Sequence, residues 1–152
     1  MILTQECHKK LSDKVFNMKY KERPIMAEYL EECRLNGSLD DNPEHFQAFE
    51  DLQRLDKNID ELSNILSSAT IFTDNMKIND TVSFGATVKF KDLDTNEVKT
   101  YTILSIYDSD INKGIISIEA PLVKEMIGLH TGDYFEFNER TYEIISICFS
   151  SL

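Results

Sequence analysis

Few side chains in this sequence are placed to do chemistry, and two of them stand out by position. Asp40 and Asp41 are adjacent in Asn36-Gly37-Ser38-Leu39-Asp40-Asp41-Asn42, a stretch rich in turn residues. Taken alone, these carboxylates read as a solvated acidic turn that helps to cap a helix. Asn42 can cap that helix, Pro43 suits its first position, and Glu44 favours the positive end of its dipole. The three cysteines, Cys7, Cys33 and Cys148, lack metal-ligand spacing and read as free thiols in a reduced compartment. His8 and His130 have no partner in sequence, and His45 falls on an apolar seam as a packed residue. No GxGxxG, Walker A, GxSxG or HExxH string occurs.

Charge narrows the partners. The chain has 152 residues, with 16 basic and 27 acidic side chains and a formal charge of −11. Such a surface repels phosphate backbones, so any role near nucleic acid has to run through a protein partner or a metal ion. A hydrophobic share of 41% and a charged share of 28% describe a folded globular chain. The opening MILTQECHKK is no signal peptide, and no apolar run approaches the ~18 residues of a membrane span. The expectation is a cytoplasmic protein with no membrane partner.

The elements that must position Asp40 and Asp41 are helical. Leu52, Leu55, Ile59, Leu62, Leu66 and Ala69 recur at alternating steps of three and four, a heptad seam. The stretch from Thr4 to Asn36 repeats the pattern at Leu11, Val15, Met18, Ile25 and Tyr29, with Thr4 as its cap. Pro24 bars a perfect helix there and predicts a kink around Glu22–Ile25. Two helices joined by so short a loop form an antiparallel hairpin, a rod of about 40 Å at ~1.5 Å per residue. Such a pair also suits a packing or dimerising coiled coil.

Near residue 74 the pattern changes. Val82, Phe84, Ala86, Val88 and Phe90 alternate with more polar residues, as a strand with one buried face does. A second strand follows over Glu97–Tyr107, then Ile115–Glu119, a short helix from Pro121 through Leu122–Ile127 ended by Gly128, and strands near Tyr134–Phe137 and Tyr142–Phe149. The predicted fold is α+β: a helical hairpin over residues 1–74 and an antiparallel sheet with one short helix over 75–152.

Several strings in this layout are similar to those of a known family. LTQECHKKL resembles LTxEGxxKL, with Cys7 where glycine is usual, and KERP (Lys21 to Pro24) resembles an RRPE-type string. CRLNGSLDDNPEHFQA (Cys33 to Ala48) aligns without a gap to AREHGDLxENAEYxAA. VSFGATVKFKDLDTNE (Val82–Glu97) and ISIEAPLVKEMIGLHTGD (Ile116–Asp133) resemble VxFGATVxLxDLDxxE and ISxxSPLxxALIGKxxGD. Over essentially its full length the chain resembles the bacterial Gre transcript-cleavage factors, GreA and GreB.

The resemblance implies a function. Its second domain, like an FK506-binding protein in fold, would dock on bacterial RNA polymerase through Pro121, Ile127 and Gly128, and the hairpin would enter the secondary channel. Acidic tip residues would there hold Mg²⁺ jointly with the polymerase, so that the polymerase hydrolyses its own backtracked RNA. On this reading the protein is no enzyme itself. It acts as a monomer, touches the nascent RNA 3′ end indirectly, and binds no metal tightly alone.

The tip also departs from the family. Where the pattern is GDLxEN, this sequence has Gly37-Ser38-Leu39-Asp40-Asp41-Asn42. Ser38 takes the position of the family Asp, Asp41 that of the Glu, and Asp40 is an extra carboxylate. Losing a charged contact costs roughly 1.5–3 kcal/mol. That is about ten- to over a hundredfold in occupancy or rate. Arg34 matches the family arginine before the tip, Asn42 and Glu44 match residues after it, and Phe49 replaces a basic residue. These departures favour the alternative of a Gre homologue that occupies the channel without promoting cleavage. A prolyl isomerase or peptide-binding module is suggested only by the second domain's implied fold.

Overall fold

A computed structural model of the chain describes residues 1–36 and 42–149. The chain divides into two compact units, His8–Ala69 and Met1–Cys7 with Thr70–Leu152. The expected boundaries, 1–74 and 75–152, thus differ both at the N-terminus and over residues 70–74, which group with the sheet unit. The reason is a parallel pair between strands β1 (Ile2–Leu3) and β2 (Thr70–Ile71). Thr70 N donates to Met1 O at 2.9 Å and Phe72 N to Leu3 O at 2.8 Å. Two-residue strands have no periodicity to read in sequence.

The helical arms are α1 (Gln5–Asn17), a π-helical segment (Met18–Glu22), α2 (Arg23–Leu35) and α3 (Pro43–Ser68). Thr4 caps α1, its Oγ1 accepting from Cys7 N at 3.1 Å. Arm pairing is antiparallel: Arg23 Nε donates to Asp56 Oδ1 at 2.7 Å, and Asn42 Nδ2 to Cys33 O at 3.0 Å. The seam buries Val15, Met18, Leu55 and Ile59, with Met26, Leu62 and Leu66 packed against them. Leu11, Val15 and Met18 are buried as expected, but Ile25 and Tyr29 stand 68% and 50% exposed.

The π-segment explains that correction. A π-turn closes i to i+5, and Arg23 N accordingly bonds Met18 O. It contains one residue more than an α-turn, so every later position shifts by one. Met26 takes the inward place predicted for Ile25, and Leu30 and Cys33 continue the inward face. Pro24, which has no N–H to give Tyr20 O, follows directly. The predicted break is therefore real, and it lies just ahead of Pro24.

In the other unit a five-stranded sheet has the order β5-β4-β3-β7-β6. Its strands are β3 (Ala86–Asp92), β4 (Val98–Leu104), β5 (Ile115–Ser117), β6 (Tyr134–Phe137) and β7 (Arg140–Phe149), with helix α4 (Pro121–Met126) between β5 and β6. All pairs are antiparallel except β4 with β5. The sheet is mixed because the segment between Leu104 and Ile115 crosses back and returns the chain in the same direction. The predicted strand from Val82 begins only at Ala86. Gly85, at φ +87°, turns the chain, and a Cβ there would meet the Phe72 ring at 2.6 Å. The core gathers Val88, Phe90, Ile103, Val123, Met126 and Ile144, all essentially inaccessible. Among the described residues no helix is long and apolar enough to cross a membrane.

Candidate functional site

The end of the hairpin at residues 36 and 42 is built from both arms. Asn42 caps α3: its Oδ1 accepts from Glu44 N at 3.1 Å and His45 N at 3.2 Å, as its position before Pro43 predicts. Its Nδ2 donates to Cys33 O, and Asn36 N donates to the same oxygen at 3.1 Å. Residues 36 and 42, which bracket the connecting segment, are thus both held at one carbonyl of buried Cys33. Ser38, Asp40 and Asp41, the acting residues expected from sequence, lie outside the described residues.

Among the flanking candidates, Arg34 is already engaged. Its guanidinium forks onto Glu31, Nη2 to Oε1 at 2.6 Å and Nε to Oε2 at 3.0 Å. That contact holds the Glu31 carboxyl below its usual range and raises Arg34. Glu44 is exposed in the first turn of α3, where the helix dipole favours it. His45 is partly buried, as the seam predicted, and its Nδ1 is buried without a hydrogen-bond partner among the described residues. Phe49, in the position of a family basic residue, is 38% exposed. Tyr29, read from sequence as a seam residue, lies four residues from Cys33, and its phenol is raised chiefly by hydrogen bonding to the Cys33 side chain.

In the sheet unit, Pro121, Ile127 and Gly128 fall at the two ends of α4 and are all exposed. The opposite face of α4 sinks Val123 and Met126 into the core. Gly128 stands at φ +84° and donates its N–H to Val82 O at 2.9 Å, which fixes the helix exit. Asp80 tightens the same region, its Oδ1 accepting from Thr131 Oγ1 at 2.7 Å. No group of three or more His, Cys, Asp or Glu among the described residues is arranged to hold a metal ion.

Comparison with known proteins accounts for both units. Residues 1–71 match the family described as "Transcription elongation factor, N-terminal", and residues 77–149 match "Transcription elongation factor, GreA/GreB, C-term". Transcription elongation factor GreA of Nautilia profundicola is 34% identical over 154 residues, covering 99% of this chain and 95% of that protein. The GreA of Cereibacter sphaeroides is 36% identical over 143 residues, covering 91% and 94%. Among solved structures, GreA factor homolog 1 of Thermus thermophilus aligns over 97% of this chain and 98% of its own, with 21% identity and a TM-score of 0.44. Matched in both halves and by relatives over nearly its whole length, the chain belongs to the GreA/GreB family of transcription elongation factors.

Proposed function

We propose that this elongation factor binds bacterial RNA polymerase in the cytoplasm, enters its secondary channel, and stimulates cleavage of backtracked RNA to rescue arrested complexes. The observation that carries the reading is the full-length match to GreA relatives, on a chain that keeps carboxylates between its helical arms. The surface at Pro121, Ile127 and Gly128 would dock on the polymerase, and Arg34, Asn42 and Glu44 would stand near the RNA 3′ end. Asp41 and Asp40 would hold Mg²⁺ jointly with the polymerase, since carboxylate oxygens suit that ion and it needs only one or two from outside. Held there by Asp41 and Asp40, the ion would supply Lewis acidity for activating water and for stabilising the in-line transition state. The endonuclease remains the polymerase.

RNA from stalled elongation complexes, run on a gel with and without the protein, tests this. Shortened transcripts that vanish with Asp41→Ala, while polymerase binding persists, are the expected result. Asp40→Ala separates a compensating acid from a bystander. Cleavage unaffected by both substitutions together would put the site elsewhere.

A second reading has specific support. Ser38 supplies a hydroxyl where the family has Asp, Phe49 is exposed where the family is basic, and Arg34 is neutralised by Glu31. A factor so built occupies the channel without promoting cleavage. Ser38→Asp then creates cleavage that the natural protein lacks, most clearly at limiting Mg²⁺.

A further inference from the structure

The first arm carries a row of large apolar side chains that nothing among the described residues covers. Phe16, Tyr20, Ile25 and Tyr29 are 57%, 65%, 68% and 50% exposed. Phe16 and Tyr20 already touch, with ring centroids 4.8 Å apart. Their spacings are four, five and four. Steps of four keep to one ridge of an α-helix, and the step of five does so across a π-turn. The five-residue step, Tyr20 to Ile25, spans the later part of the π-segment Met18–Glu22. In an uninterrupted α-helix the two pairs would point in different directions. Here they form one continuous ridge about 20 Å long at ~1.5 Å per residue.

Charge along the same arm says what fits it. Residues 9–23 hold six basic and two acidic side chains, a net of +4, in a chain whose total is −11. Residues 24–36 hold three acidic and one basic, a net of −2. The change of sign falls at the middle of the ridge. Arg23 is paired with Asp56, whereas Lys19, Lys21, Glu28 and Glu32 are exposed.

We propose that the ridge is a self-association surface on which a second copy of this chain docks antiparallel. A ridge of this kind packs into the grooves beside its equivalent on another helix. A two-fold axis at the π-segment sets the basic half of each copy against the acidic half of the other, as a self-complementary contact requires. Parallel docking would oppose like charges. With the copies otherwise repelling one another, pairing is confined to the one register in which the halves complement. The interface is small, and the dimer forms only as concentration rises.

Sedimentation of the full chain over a range of concentrations tests the proposal. The expected average mass climbs toward twice the monomer value, and Ile25→Asp holds it at one chain with an unchanged circular dichroism spectrum. Two charge variants sharpen the result. Glu28→Lys with Glu32→Lys makes both halves basic, and Lys14→Glu, Lys19→Glu and Lys21→Glu together make the first half acidic. Each alone should stay monomeric, and an equimolar mixture of the two should associate. A single-chain mass at every concentration overturns the proposal, as does association of Ile25→Asp equal to the parent's, or a mixture no heavier than its components. A monomeric parent whose polymerase binding is lost in Ile25→Asp would assign the ridge to the polymerase instead, and overturns it too.

Discussion

The two units solve the problem of stability differently. The sheet unit surrounds ten buried residues with strands and a helix, so each core side chain has neighbours on several sides. The hairpin is two rods wide, and Val15, Met18, Leu55 and Ile59 form a single file between them. Toward residues 36 and 42 packing narrows to buried Cys33 and Ala48, and hydrogen bonds add to it there, through the Asn42 cap and the shared Cys33 carbonyl. A pair of helices leaves more to local polar contacts at its connection than a closed sheet core does.

Substitutions can break that contrast. Phe90→Ala should be the costliest, roughly 3–5 kcal/mol, because its ring meets Tyr101, Phe135 and Tyr142 in a closed core. Ile59→Ala should fall toward the lower end of the roughly 2–5 kcal/mol range for such truncations, since a two-rod seam relaxes more easily. Chemical denaturation followed by circular dichroism checks both, and an equal loss would mean that the hairpin is packed as tightly as the sheet.

Acid should act on the sheet unit. Asp92 is nearly inaccessible and accepts from Arg140 Nη1 at 2.8 Å and from the backbone of Asp94 and Thr95. Arg140 above all holds its carboxyl below the ordinary range, against the opposing effect of desolvation. A depressed native value stabilises the fold above the unfolded carboxyl's value, ~3.9. That stabilisation is lost as pH falls through the native one. Melting temperature should drop on acidification below about pH 4, and Arg140→Gln should flatten the drop. Asn42→Ala should cost about 1 kcal/mol and speed amide exchange in the first turn of α3. Smallest of all, Ile25→Ala should change stability by less than about 0.5 kcal/mol in dilute solution, where it faces water. Met26→Ala should cost measurably more, and the reverse ranking would return the arm to an unbroken α register.

Much of this was legible in the sequence, for identifiable reasons. Asn42, Pro43 and the Leu55–Ile59 spacing announce α3 because capping and a heptad seam leave local marks. Pro24 announced a break, but the extra residue of the π-turn is invisible to counting by three and four. Ile25 and Tyr29 were therefore read as inward. The alternation from Val82 to Phe90 gave the strand's buried face and missed its start, which a glycine turn against Phe72 decides. Nothing local marks the pairing of Ile2–Leu3 with Thr70–Ile71, since it depends on residues far apart in the chain. Near the candidate site, the capping of α3 by Asn42 was legible from its place before Pro43. The engagement of Arg34 by Glu31 was not, although a spacing of three on one helix allows it.

The Cys33 carbonyl has a consequence for how such a protein changes over generations. It is a backbone atom, so no replacement at position 33 removes it except by moving the helix. The donors it receives come from Asn36 and Asn42, which bracket the stretch Gly37-Ser38-Leu39-Asp40-Asp41. Drift within that stretch removes none of the atoms that make this pair of bonds. A lineage can exchange an acid for a hydroxyl there, and exchange it back, without dismantling the closure that joins the two arms. The frame is inherited while its contents are open to experiment, and a new activity at the tip can arise by one codon at a time.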